Sequence, residues 1–100
     1  MGLTFRVTDY ADFTMIHVEP DDPVLTPADI KVALHKLPEV DFAKGVVISG
    51  RCPIWFYAAL THAFHPAAWV ATYDPRLKGG VVVMSHTPQR SVGDVVEIEG

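Results

Sequence analysis

Two alternating segments open the chain and predict a pair of half-buried strands. Apolar and polar residues alternate from Leu3 to Thr8 and from Phe13 to Glu19, which is the two-residue period of a strand. The intervening turn residues, 9–12, predict that the two strands pair as a hairpin. After the loop at residues 20–23, Thr26 is a typical N-cap. A helix from Pro27 to Lys36 is therefore expected to follow the hairpin.

The second half of the chain contains continuous apolar runs instead of alternation. The run from Gly45 to Ser49 predicts a central strand covered on both faces, and Pro53 opens a helix that continues from Ile54 to Phe64. Three more strands are predicted, at Ala68 to Tyr73, Gly80 to Ser85 and Val95 to Glu99. The order is β-β-α-β-α-β-β-β, with a right-handed parallel crossover over residues 45–73. The fold class is therefore α/β, a compact two-layer or three-layer sandwich with a mixed sheet.

Length and composition predict the number of domains, the oligomeric state and the cellular compartment of this chain. One hundred residues, 49% of them hydrophobic, predict one domain with a modest core, so we expect at least a homodimer. No apolar run approaches the roughly 20 residues of a membrane span, and the first ten residues lack the pattern of a signal peptide. Cys52 is the single cysteine, which fits a reducing, cytoplasmic environment.

The charge distribution indicates a local anion site. The net charge is −4, yet residues 45–90 hold one acid and four bases, together with three of the five histidines. A protein that binds duplex DNA should be basic overall, so that class is not favoured. The distribution suits a site for a small ligand that carries few phosphates.

Polar residues at the ends of the apolar elements are the candidate site. Ser49-Gly50-Arg51 ends a strand just before a helix, where glycine, free N–H groups and an arginine suit a phosphate. The alternative is an ordinary turn with a surface arginine. Asp74 and Arg76 follow the next strand, as a ligand for a hard cation and a phosphate clamp, or simply as a surface ion pair.

The histidines allow several roles. His62 and His65 are three residues apart and should share one helix face, as metal ligands, as a general acid and base, as phosphate contacts or as caps of the helix end. His86 ends a strand, where a plain edge position is equally compatible with the sequence. We interpret His17 as structural or solvated, and Cys52 as an unreactive thiol.

These stretches closely resemble the CRISPR-associated Csx-three family, the small accessory proteins of type III CRISPR systems. The resemblance is densest from Gly45 to His86, and the segments at residues 13–17 and 93–95 also fit. It implies a manganese-dependent ring nuclease that cleaves cyclic tetra-adenylate, and its relatives are also described as RNA 3′-end deadenylating exonucleases. It further implies a ferredoxin-like or CRISPR-associated Rossmann-like fold, and homodimers that sandwich the ligand as a dimer of dimers or a filament.

The resemblance also implies roles for individual residues. His65, Asp74 and Arg76 match the catalytic positions, with Asp74 and His65 as manganese ligands, and the positions that match the ligand-binding part are Ser49, Gly50, Arg51 and, more weakly, His62 and His86. Two departures from the family pattern are Cys52, where glycine is usual, and a longer stretch at Lys78-Gly79; the chain also ends at Gly100, before the helical tail of some relatives.

Three functions remain open at this stage. The first is a ring nuclease that ends type III CRISPR signalling. The second is a sensor or sink that binds cyclic oligoadenylate without turnover. The third is an RNA 3′-exonuclease, for which short RNA is the expected partner. We expect the binding residues and the cutting residues to face one ligand from different dimers.

Overall fold

The computed structural model describes residues 2–98. These residues form one mixed β-sheet with two α-helices packed against it. The elements are β1 (Leu3–Asp9), β2 (Phe13–Pro20), α1 (Pro27–His35), β3 (Gly45–Ser49), α2 (Ile54–Ala63), β4 (Trp69–Asp74), β5 (Gly79–Ser85) and β6 (Val95–Glu97). This confirms the predicted order, and the predicted bounds agree closely with the observed ones. The expected end of the last strand, at Glu99, lies outside the described residues.

The six strands lie side by side in their chain order. β1 pairs antiparallel with β2, the pairs β2–β3 and β3–β4 are parallel, and β4–β5 and β5–β6 are antiparallel. The predicted hairpin and parallel crossover are therefore confirmed. β2, β3 and β4 end at the same edge of the sheet, which we call the carboxyl edge. β5 runs back and ends at the opposite edge, which we call the amino edge.

Both helices pack on one face of this sheet, so the sandwich has two layers. Ala33 of α1 and Phe56 and Leu60 of α2 share a core cluster with Ile16 and Ile48. The alternate residues of the same strands point to the other face, because successive side chains of a strand point in opposite directions.

The face without helices, which we call the open face, carries its own apolar cluster. Val47, Trp69, Ala71 and Val82 are each at most 4% exposed, although neither helix contributes to this cluster. The pairing of β4 with β5 shifts register between Val70 and Ala71. A bulge of this kind increases the local twist of a sheet, which suits a face that buries its residues against one another.

The helix ends follow the predicted chemistry, with one correction. The Thr26 N–H donates to the Asp29 carboxylate at 2.7 Å, which confirms the expected N-cap of α1. α2 ends at Ala63, so His65 lies in the following turn and does not share a helix face with His62. The described residues include no helix long and apolar enough to cross a membrane.

Candidate functional site

A cavity of about 560 Å³ lies beyond the carboxyl edge, where the three parallel strands end. β2, β3, β4 and α2 all contribute to its lining, which comprises His17, Val18, Glu19, Pro20, Ser49, Gly50, Arg51, Tyr57, Tyr73 and Pro75. Ligands of open α/β sheets bind at this kind of edge. The structure therefore places the predicted binding residues, Ser49 to Arg51, in the wall of one cavity, the carboxyl-edge cavity.

His17 and Ser49 form the polar floor of the carboxyl-edge cavity. They are partners in the parallel register of β2 and β3, and His17 Nδ1 lies 3.1 Å from Ser49 Oγ. Ser49 is only 5% exposed, so this contact satisfies a hydroxyl that water barely reaches. Both residues also line a smaller neighbouring cavity on the open face, of about 350 Å³. A ligand in the carboxyl-edge cavity would meet a hydroxyl and an imidazole that are already oriented by each other.

Gly50 is required by the geometry of the turn after β3. Its φ is +129°, and a Cβ at this position would lie 2.7 Å from the Val18 carbonyl oxygen. The Tyr57 hydroxyl donates a hydrogen bond to the Gly50 carbonyl and so ties the turn to α2. Burial raises the pKa of the Tyr57 phenol to about 12, so the phenol stays a hydrogen-bond donor well into the alkaline range. The turn is thus fixed from both sides.

Arg51 contributes a cation to the wall of the carboxyl-edge cavity. Glu19, the acid in its lining, is engaged by Arg6 at 2.9 Å. Within residues 2–98, Arg51 makes no ion pair. Its guanidinium is exposed and retains all of its donors for a phosphate or carboxylate.

Asp74 and Arg76 sit beside the carboxyl-edge cavity and bind each other across Pro75. Asp74 accepts hydrogen bonds from the Arg76 backbone N–H at 2.8 Å and from the Arg76 guanidinium at 3.1 Å. The guanidinium and the backbone N–H hold the pKa of the Asp74 carboxyl below its ordinary value. The Arg76 side chain is 88% exposed. The ion pair that the sequence left as an alternative is present, and it also holds the arginine where a phosphate could reach it.

The predicted histidines lie at the amino edge. His65 follows α2, which runs back across the sheet. His86 follows β5, whose end pairs with the start of β4. The His86 N–H donates to the Ala68 carbonyl at 2.8 Å. The His65 and His86 rings meet edge to face with centroids 4.8 Å apart. His62 is exposed in the last turn of α2. The structure therefore joins His65 to His86, which sequence reasoning treated separately.

His65 and Asp74 do not come together within one chain. The whole length of β4 lies between them. Its five residue steps span roughly 17 Å along the strand. Among residues 2–98, no group of three or more His, Cys, Asp or Glu side chains is arranged to hold a metal ion. The residues of a single chain therefore do not fit the manganese site that the resemblance implied from Asp74 and His65.

Sequence reasoning missed two residues of the carboxyl-edge cavity. His17 was interpreted as structural or solvated, and Tyr57 was given no role. His17 contacts Ser49 at the end of β3, and Tyr57 donates to Gly50 in the turn that follows. The alternation of β2 contained the signal for His17, because it places His17 on the face opposite Ile16 and Val18. Only the parallel register shows that Ser49 shares that face.

Cys52 is not a nucleophile candidate. Burial raises the pKa of its thiol to about 11, so the reactive thiolate is scarce at neutral pH. This agrees with the expectation of an unreactive thiol.

Comparison with known proteins gives a consistent result. The sequence model of the family described as CRISPR-associated protein (Cas_csx3) matches residues 18–97, from the end of β2 through β6. The chain is also 44% identical over 82 residues to an uncharacterized protein of Aquifex aeolicus (strain VF5), which covers 76% of this chain and 70% of that protein. The chain therefore belongs to the CRISPR-associated Csx-three family.

Proposed function

We propose that this protein is a manganese-dependent ring nuclease that binds and degrades cyclic tetra-adenylate, and so ends type III CRISPR signalling in the cytoplasm. The observation that carries the proposal is the carboxyl-edge cavity of a chain that belongs to a CRISPR-associated family. The cavity combines a free cation, a glycine turn and a buried hydroxyl, which together suit a phosphate of a compact nucleotide ligand.

In this proposal the carboxyl-edge cavity binds the ligand. Arg51 pairs with a phosphate, the Gly50 turn allows the backbone to approach it, and Ser49 and His17 bind its oxygens from the floor. A cyclic ligand with repeated phosphates suits a symmetric assembly, since a homodimer presents each of these groups twice. His62 and His86 are proposed as further ligand contacts from the amino edge.

The cutting step needs residues from two copies of the chain. Asp74 and Arg76 flank the carboxyl edge and His65 lies at the amino edge, so the set assembles only where the edges of two copies face each other. There, Arg76 would stabilise charge on the cleaved phosphate, and His65 would transfer a proton as general acid or base. Because carboxylates suit manganese, binding of this ion is proposed only for such an assembly, with Asp74 from one copy as a ligand. His65 from another copy would serve either as a second ligand or as the proton-transferring group, since a metal-bound nitrogen cannot also transfer a proton.

A binding function without turnover is the second candidate. It is favoured by the separation of His65 from Asp74, since a sensor or sink needs only the carboxyl-edge cavity. Both functions predict that removal of Arg51 weakens ligand binding. Only the nuclease predicts a cleavage step that removal of His65 abolishes.

Incubation with cyclic tetra-adenylate, with and without manganese, tests the proposal when products are followed by mass spectrometry. Cleavage that requires manganese and is lost in His65→Ala and Asp74→Asn supports the nuclease. Tight binding without cleavage leaves the sensor or sink. Faster cleavage of linear RNA than of the ring would assign the protein as an RNA 3′-exonuclease instead.

Mixing two inactive variants tests the shared site. His65→Ala keeps Asp74 intact and Asp74→Asn keeps His65 intact, so a site built from two copies should regain part of its activity in the mixture. A site within one chain should not regain any. His35→Ala, at the end of α1, is the matched control for histidine removal and should leave cleavage unchanged.

A further inference from the structure

A second cavity, of about 450 Å³, opens at the amino edge of the sheet. It lies between the β1–β2 turn, the starts of β3 and β4, and the loop between β5 and β6. Its polar lining residues are Asp12, Lys44, Thr87, Gln89 and Arg90. The proposed function assigns no role to this amino-edge cavity.

Arg90 is held in place with its hydrogen-bond donors free. Its guanidinium carbon lies 5.1 Å from the centroid of the Trp69 ring, and Trp69 is almost fully buried, so the platform is rigid. Stacking occupies a face of the guanidinium and leaves the N–H groups in its plane available. Ser85 Oγ donates to the Arg90 carbonyl at 2.8 Å and fixes the backbone. Arg90 makes no ion pair within the described part of the chain.

Lys44 supplies the second cation of the amino-edge cavity. Its side chain is 24% exposed, and its ammonium lies 3.7 Å from the Asp9 carboxylate, a long and loose contact. The Thr87 hydroxyl donates to the Gln89 side-chain oxygen. The Gln89 amide N–H₂ therefore remains available to donate to a ligand. In the lining, two cations and an amide face Asp12, while Asp9 contacts Lys44 from outside the lining. Arg90 has no such acidic partner among residues 2–98, so its N–H groups in particular can bind an anion.

We infer that the amino-edge cavity is a second phosphate-binding site, which holds a phosphodiester of the adenylate ligand beside the His65–His86 pair. This inference rests on the proposed function for the identity of the ligand. Thr87 and Ala68 line the cavity. His86 precedes Thr87 in the chain and donates its N–H to the Ala68 carbonyl, so His86 lies beside the cavity. Lys44 and Arg90 would bind the ligand at the amino-edge cavity of one copy. The carboxyl-edge cavity of a facing copy would bind the same ligand.

The test is titration of ¹⁵N-labelled protein with 5′-phosphorylated di-adenylate, followed by NMR. The amide signals of Lys44, Thr87, Gln89 and Arg90 should shift, separately from those around Ser49 and Arg51. Arg90→Gln and Lys44→Gln should each weaken binding at this cavity about tenfold. Each should also lower the slope of log affinity against log salt by about 0.7 for the lost phosphate contact. Lys31→Gln, on the exposed side of α1, is the matched control and should change neither quantity.

Arg90→Lys keeps the charge and the folded loop, and it should retain more affinity than Arg90→Gln. Unshifted signals at the amino-edge cavity, or equal affinity for Arg90→Gln and Lys31→Gln, would overturn the inference. Because the readout is binding of a dinucleotide, it does not depend on cleavage. Shifts at this cavity in a protein that leaves cyclic tetra-adenylate intact would sustain the phosphate site and reject the nuclease alone.

Discussion

His17 and Ser49 face each other across two parallel strands, with 3.1 Å between Nδ1 and Oγ, at the floor of the carboxyl-edge cavity. Ser49→Ala removes the hydroxyl and leaves the His17 nitrogen without this partner, so affinity for cyclic tetra-adenylate should fall about tenfold. Isothermal titration calorimetry measures this. His17→Gln should weaken binding similarly, whereas His35→Gln on α1 should not. Unchanged affinity in both cavity variants would remove this pair from the binding site.

Gly50→Ala should destabilise the protein through a specific collision. The added methyl would meet the Val18 carbonyl oxygen at 2.7 Å at a φ that only glycine adopts freely. We expect the free energy of unfolding in urea to fall by about 1–3 kcal/mol or more. Gly93→Ala is the matched control, because Gly93 also has a positive φ but its Cβ would meet nothing within 4 Å. Equal losses in the two variants would attribute the cost to backbone strain alone.

Tyr57→Phe should loosen the turn that carries Arg51. The variant leaves the Gly50 carbonyl without its phenol donor, which should cost about 1 kcal/mol of unfolding free energy. Ligand affinity should fall as well, since the turn is no longer tied to α2. Tyr10→Phe, in the exposed β1–β2 turn, controls for loss of a phenol. The role assigned to Tyr57 fails if stability drops while the affinity stays at the wild-type value.

Asp74→Asn should separate stability from activity. The Asp74–Arg76 pair is exposed at its arginine, and exposed pairs contribute about 0–1 kcal/mol. The melting temperature should therefore change little, as for Arg6→Gln, which breaks the exposed pair with Glu19. Cleavage of cyclic tetra-adenylate should fall by at least about 100-fold, because the carboxylate charge is lost and the hold on Arg76 is weakened. A large drop in melting temperature together with full activity would mark the pair as purely structural.

Stability should decrease at alkaline pH, partly because of Cys52. Burial raises the pKa of the Cys52 thiol from 9.0 to about 11, and burial, together with the nearby thiol, raises that of Tyr57 from 10.0 to about 12. The folded state holds these protons more tightly than the unfolded state. Their contribution to stability is therefore full below about pH 9 and is lost as the pH rises through the folded values.

Urea unfolding of the wild type and of Cys52→Ser, between about pH 8 and about pH 11, measures the share of the thiol. Cys52→Ser should lose less stability over this interval, since serine does not titrate there. Parallel curves for the two proteins would show that the thiol has the same pKa in both states.

The sequence by itself determined the elements, the first hairpin and the parallel crossover of residues 45–73. The alternation of β2, the apolar run of β3 and the prolines at the helix ends are local signals. They act through backbone geometry and burial of nearby side chains, so they can be read in order. The same signals placed Ser49, Gly50 and Arg51 at a strand end before a helix, where the structure has them.

The tertiary structure alone decided which polar residues meet when they are far apart in the sequence. His65 and Asp74 flank one strand in the sequence, yet β4 keeps them at opposite edges, while the antiparallel return of β5 brings His86 to His65. His17 meets Ser49 because a parallel register aligns residues 32 positions apart. Such contacts depend on strand direction and register, which are set by long-range pairing and are not encoded in the spacing of residues along the chain.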